Sequence, residues 1–103
     1  MEKNTPHYDL AVIKSEVRRL GQNAFTKTSV RSAEKLGFNV SEMQEIVFEL
    51  QTKMLYKSMT TYEDHRIWQD VYHINSRDQE IYIKVTYRPG GSPPVISLKE
   101  NNP

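Results

Sequence analysis

Five polar residues in the second half of the chain, Lys57, Gln69, Tyr82, Lys84 and Lys99, have the side-chain types that cutting RNA without a metal requires. In that reaction a ribose 2′-hydroxyl loses a proton and attacks the neighbouring phosphorus. The 5′-oxygen leaves with a proton, and the added charge on the phosphorane oxygens must be stabilised. Lysine and arginine supply that stabilisation, and donors placed for developing charge are commonly worth about 10²–10³ in rate. A tyrosine or lysine with a shifted pKa can move a proton, typically for about 10²–10⁴. The amide of Gln69 does not titrate, but it can orient the ribose or a phosphate oxygen.

The first two of these residues lie in the stretch LYKSMTTYEDHRIWQDVY, residues 55–72. Cations, carboxylates, hydroxyls, an amide and aromatics crowd it, with only scattered aliphatics. A strand that merely filled a core would not carry so many donors and acceptors. From spacing alone the simpler reading is the wet face of a half-buried sheet. Tyr56, Tyr62, Trp68 and Tyr72 have rings that can stack on unpaired bases, although aromatics in strands more often pack in cores. Unaided, the residues reach a polar site on a small α+β protein and stop short of a reaction.

Other chemistries find less support. There is no P-loop, GxGxxG, HExxH or nucleophile-elbow serine. His7, His65 and His73 are far apart in sequence. His65 beside Glu63 and Asp64 invites a metal reading, but adjacent residues seldom converge on one ion, and no second histidine sits at helical ligand spacing. No metal site and no cofactor is expected. An imidazole ordinarily titrates near pH ~6.5, so His65 has the chemistry of a general base, with nothing local to tune it.

The elements that must position these residues follow from periodicity. Residues 1–8 read as a short leader, with Thr5 and Pro6 suited to a helix start. Leu10, Ile13, Val17 and Leu20 form one stripe of a helix from Asp9 to Leu20, and Gly21 can stop it. Arg18 and Arg19 suit the helix dipole and read as a solvated end rather than a phosphate grip. Gln22–Thr28 is a short extended connection or edge strand. A second helix is expected from Ser29 to Leu36, closed by Gly37. A third begins with a capping box of Ser41 and Gln44, buries Met43, Ile46, Val47 and Leu50, and turns Glu42, Glu45 and Glu49 to water.

From about residue 54 the period becomes 2. Ile81, Ile83, Val85 and Tyr87 alternate with Tyr82, Lys84, Thr86 and Arg88. Ile96 and Leu98 alternate with Val95, Ser97 and Lys99. The segment Pro89–Pro94, PGGSPP, is a turn-rich connector between these two strands. An antiparallel pair with its aliphatics turned inward puts Tyr82, Lys84 and Lys99 on one face. Ile67–His73 is a third strand with two facings. Either Ile67 and Val71 point inward with Gln69, or Trp68 and Tyr72 do, which sends Gln69 to the face of Tyr82 and Asp70 to the core side. The larger area buried by Trp and Tyr favours the second. Residues 74–80, INSRDQE, read as a polar connection.

Composition sets the outer bounds. A chain of 103 residues with 37% hydrophobic and 26% charged residues fits one globular domain, residues 1–103. No apolar run approaches the roughly 18 residues of a membrane span, and the polar start MEKNTPHYDL lacks the apolar centre of a secretion signal. A cytoplasmic location and no membrane partner are expected. The chain has no cysteine, which excludes disulfides, thiolate zinc sites and cysteine nucleophiles. With a net charge of +1, any nucleic-acid binding must come from a local basic patch.

Nearly the whole chain, from MEKNTPH through YKSMTTYEDHRIWQDVY and IYIKVT to ISLKE, resembles the motility quorum-sensing regulator (MqsR) toxins. The central motif is long and chemically odd. The resemblance implies an α+β fold similar to RelE and YoeB, with N-terminal helices packed on a C-terminal antiparallel sheet. It implies a ribosome-independent mRNA endoribonuclease of a toxin–antitoxin pair, commonly preferring GCU-type sites, acting on single-stranded mRNA. The implied partner is a zinc-binding, helix-turn-helix antitoxin, and operator DNA is met only through the complex. Onto this sequence the family's lysine falls at Lys57, its glutamine at Gln69 and its tyrosine at Tyr82, as catalytic residues, with Lys99 as a further lysine near the end. Lys84 joins Lys99 as an expected substrate contact. The segment HINSRDQE and the PGGSPP connector depart from the family pattern, which bears on sequence preference and partner contacts. The rival reading is a non-catalytic RNA-binding or corepressor module acting with a partner protein.

Overall fold

A computed structural model of the chain describes residues 1–101. Three helices, α1 (Leu10–Leu20), α2 (Lys27–Lys35) and α3 (Val40–Glu49), precede most of the sheet. The strands are β1 (Glu2–Lys3), β2 (Leu55–Thr60), β3 (Trp68–Ser76), β4 (Gln79–Val85) and β5 (Val95–Glu100). They form one five-stranded sheet in the order β1-β2-β3-β4-β5, with every neighbour antiparallel. This is the α+β arrangement expected, with helices on one face of the sheet. Among the described residues no helix is long and apolar enough to cross a membrane.

Helix starts follow local chemistry. Asp9 caps α1 by accepting from the Ala11 amide at 2.9 Å, and Thr26 caps α2 through the Ser29 amide. At α3 the capping box is Asn39 with Glu42, each side chain bonding the other's backbone amide, two residues earlier than Ser41 with Gln44. Gln44 is used differently: its amide donates to the Val17 carbonyl and ties α3 to α1. Arg18 lies over the Phe48 ring and Arg19 pairs with Glu16, so both stay with the helix surface. Glu49 is not simply solvated, since it receives Ser76 and Arg77 from the sheet.

The core joins Ile13, Val17, Met43, Ile46 and Val47 of the helices to Tyr72, Ile74, Ile81, Ile83, Val85 and Leu98 of the sheet. Three further expectations change. Residues 1–8 do not lead straight into a helix: Glu2 and Lys3 pair with Met59 and Ser58, and the amides of His7 and Tyr8 bond the Asp70 carboxylate. Residues 74–80 are not a loop, because β3 and β4 meet in a tight hairpin whose turn residues Arg77 and Asp78 both have positive φ, 52° and 61°. Such turns usually advertise themselves with Gly or Asn. Finally, the register slips between Lys84 and Val85, so that Val95 lies opposite Val85 and Ser97 opposite Lys84. Val95 is therefore buried and Ile96 only half-buried, the reverse of simple alternation.

Tyr72 is fully buried, and among the described residues its hydroxyl has no hydrogen-bond partner. Burial first, then the nearby Asp70 and Asp9 carboxylates, push the phenol up to about 12. Because the folded value exceeds the ordinary value of about 10, this residue's contribution is intact below pH ~10 and is lost as pH climbs from there through the folded value. Tyr72→Phe removes an unsatisfied buried hydroxyl and is expected to be more stable by about 1 kcal/mol. The gain should widen above pH ~10. Urea unfolding of both proteins at neutral and alkaline pH measures the difference.

Candidate active site

The face of the sheet away from the helices is built in cross-strand rows. Lys57, Val71, Lys84 and Ser97 are successive register partners from β2 to β5, and His73, Tyr82 and Lys99 form the next row. Gln69 lies opposite Met59 in the row beyond Val71. All five sequence-predicted residues stand on this open face. Strand pairing brings Tyr82, Lys84 and Lys99 close and sets Lys57 in the row of Lys84, two strands away, whereas Gln69 is two rows from Tyr82, roughly 13 Å along the strand at ideal spacing. Val71 is fully buried although it faces away from the helices. Its register neighbours are Lys57 and Lys84, whose aliphatic stems can cover it while their ammonium groups reach solvent.

Tyr82 is the centre of the cluster. The Lys99 ammonium lies 5.3 Å and the Lys84 ammonium 5.7 Å from its ring centroid, and the His73 ring lies 5.8 Å away at 40°. Lys57 is held from the opposite side by Glu2 of β1, with Nζ 2.8 Å from the carboxylate. The Glu2 hydrogen bond is the main cause that raises the Lys57 pKa. The same contact lowers that of Glu2. Lys57 is thus kept a cation at neutral pH, suited to stabilising phosphorane charge and not to removing a proton.

From Gln69 and Lys84 an open groove of about 550 Å³ runs past Met59, Ile96 and Thr61 to Tyr62 and Arg88. It extends the face away from Tyr82 along a path lined by both cations and apolar surface. A second hollow beside α2 is of similar size but shares none of these residues, lying instead between Gln22, Arg31 and Pro93. Chemistry, not volume, marks the sheet face.

Asp70 explains how Gln69 can face outward. Outward Gln69 sends Asp70 beneath the sheet, where it is fully buried. Its carboxylate accepts from the His7 amide at 3.0 and 3.1 Å, the Tyr8 amide at 2.9 Å and the Ser58 hydroxyl at 2.6 Å. The cost of burying the charge is offset by a full set of donors. Trp68 shares that side but sits near the margin, stacked on His7 at 4.9 Å with Lys3 above its ring. The His7 pKa is lowered, chiefly by burial and then by Lys3.

Sequence reasoning overlooked two residues at this face. Glu2 reaches Lys57 only because β1 pairs with β2, and a two-residue strand carries no periodic signal. His73 could have been found by carrying the outward facing of Gln69 two steps along the strand, through Val71. His65 is exposed in the loop between β2 and β3, where neighbouring Asp64 is taken up by Arg66 at 3.0 Å. Among the described residues no three of His, Asp and Glu gather in one place.

Residues 5–100 match the model of the family described as motility quorum-sensing regulator, toxin of MqsA. The mRNA interferase toxin MqsR of Escherichia coli (strain K12) is 41% identical over 86 residues, covering 84% of this chain and 87% of that protein. With a match across almost its whole length, the chain belongs to the motility quorum-sensing regulator toxin family.

Proposed function

We infer that this chain is an mRNA endoribonuclease, the toxin of a toxin–antitoxin pair, and that it cuts RNA through attack of the 2′-hydroxyl without a metal. The observation that carries the reading is a phenol, Tyr82, flanked on a solvent-facing sheet by Lys84 and Lys99, with Lys57 on the same face in the row of Lys84. Lys57 stabilises the phosphorane, Tyr82 moves a proton at the reacting oxygens, Gln69 positions the substrate from the next part of the face, and Lys84 and Lys99 hold phosphate. Three ammonium groups on one face attract a polyanion, although the whole chain carries only +1. The substrate is single-stranded mRNA, cut without the ribosome, because an open face with a groove running along it admits an unpaired strand. As a toxin of MqsA it has an antitoxin partner. A zinc-binding helix-turn-helix protein that carries the pair to operator DNA, and a cytoplasmic setting for the whole 103-residue domain, complete the proposal.

Incubating the purified chain with a defined transcript tests this. Cleavage should leave cyclic-phosphate and 5′-hydroxyl ends and should persist in excess EDTA. Loss of activity on chelation would contradict the mechanism. A shifted but uncut RNA, bound more weakly as salt rises, would favour a binding module instead.

A further inference from the structure

The lysines around Tyr82 account for a phosphate, but not for the base attached to the attacking ribose. Of the aromatics in and beside β2 and β3, Tyr72 is buried, Trp68 is covered by His7 and Lys3, and Tyr62 stands fully exposed in the loop after β2. Tyr56 is different. It is 57% exposed, and its ring lies 4.5 Å from that of His73 at an interplanar angle of 13°. His73 is in turn the register partner of Tyr82.

The backbone supports this placement. Leu55 pairs with Tyr72 and Lys57 with Val71, leaving Tyr56 as the extra residue of a register shift. Leu55 packs against the core and Ser58 bonds buried Asp70. Regular alternation would therefore not place Tyr56 and Lys57 on the same side. The bulge turns both onto the open face, and bulges commonly re-aim side chains beside active sites. The Lys57 ammonium lies 5.5 Å from the Tyr56 ring centroid. A ring held rigid by a neighbour, exposed to solvent and beside a cation meets the needs of a stacked base next to its phosphate.

We propose that Tyr56, backed by His73, seats one unpaired nucleobase of the RNA next to the phosphate held at Tyr82. The proposal rests on the reading of this face as an RNA-cleaving site. Stacking accepts any base, so the pair fixes the position of the strand and leaves base identity to other contacts.

The test uses the full chain and a short RNA with a single 2′-O-methyl group at the cleaved nucleotide, so that binding is measured without cutting. Tyr56→Ala should weaken binding about 10-fold, and Tyr56→Phe, which keeps the ring, by less than about twofold. An abasic site should then be moved along the RNA. At one position it should cost the parent protein the same factor yet cost Tyr56→Ala nothing more, the coupling of two groups in one contact. Equal losses at every position, or losses that simply add, would overturn the stacked seat. If the parent cuts unmodified RNA while no position couples to Tyr56, only this inference falls. If the parent neither binds nor cuts RNA, the functional reading falls with it.

Discussion

Tyr82→Phe is expected to purify as a folded protein and to cleave RNA at least about 100-fold more slowly than its parent. The substitution keeps the ring that Lys84, Lys99 and His73 approach and removes only the hydroxyl. Tyr82 is half-buried on the open face and outside the hydrophobic core, so its folding stability should move by no more than about 0.5 kcal/mol. Lys57→Ala should lose at least about 100-fold as well. The reason differs, since the Glu2 pairing marks Lys57 as a fixed positive charge. Single-turnover cleavage rates measured beside urea-unfolding midpoints separate lost chemistry from lost fold. A Tyr82→Phe protein cutting at the parental rate would remove the phenol from the mechanism.

The largest effect on stability should come from Asp70→Ala. Four hydrogen bonds converge on this fully buried carboxylate, from the amides of His7 and Tyr8 and the hydroxyl of Ser58. Removing it leaves those donors without a partner, at a cost of about 3–5 kcal/mol. Against a typical total of roughly 5–15 kcal/mol that is a severe loss, visible as a large fall in the urea midpoint. The same carboxylate pins the segment joining β1 to α1. Loosening it should also free Glu2 from Lys57 and expose Trp68, so increased amide exchange at Lys3 and Tyr8 would accompany the lost stability. A variant as stable as the parent would show that the carboxylate only tolerates its burial.

How much of this was legible in the sequence depends on the length of each periodic signal. Tyr82, Lys84 and Lys99 could be placed on one face because β4 alternates cleanly through Ile81, Ile83 and Val85, and its partner follows in antiparallel register. The facing of β3 hung on whether Trp68 and Tyr72 outweigh a buried Asp70. Area pointed the right way, but the reason that Asp70 is tolerated lies in amides more than 60 residues distant. Bulges were invisible for the same physical reason. One inserted residue reverses every side chain beyond it, and it moved Tyr56 outward and Ile96 off the core. The Arg77–Asp78 turn lacked its usual glycine, so a hairpin read as a loop. Of the site itself, residue types and the family motif supplied Lys57, Gln69 and Tyr82. Glu2 comes in only through the strand pairing of β1, whereas His73 follows from the facing of Gln69 carried along β3, and its stack on Tyr56 needs the structure.

The most direct test of 2′-hydroxyl attack on this sheet face is a transcript with a single 2′-deoxy substitution at the nucleotide whose 3′-phosphate is cut. Cleavage at that bond should vanish while binding and cutting elsewhere continue. Cleavage of the deoxy-substituted bond at the parental rate would contradict the account, since no oxygen would remain there to attack the phosphorus.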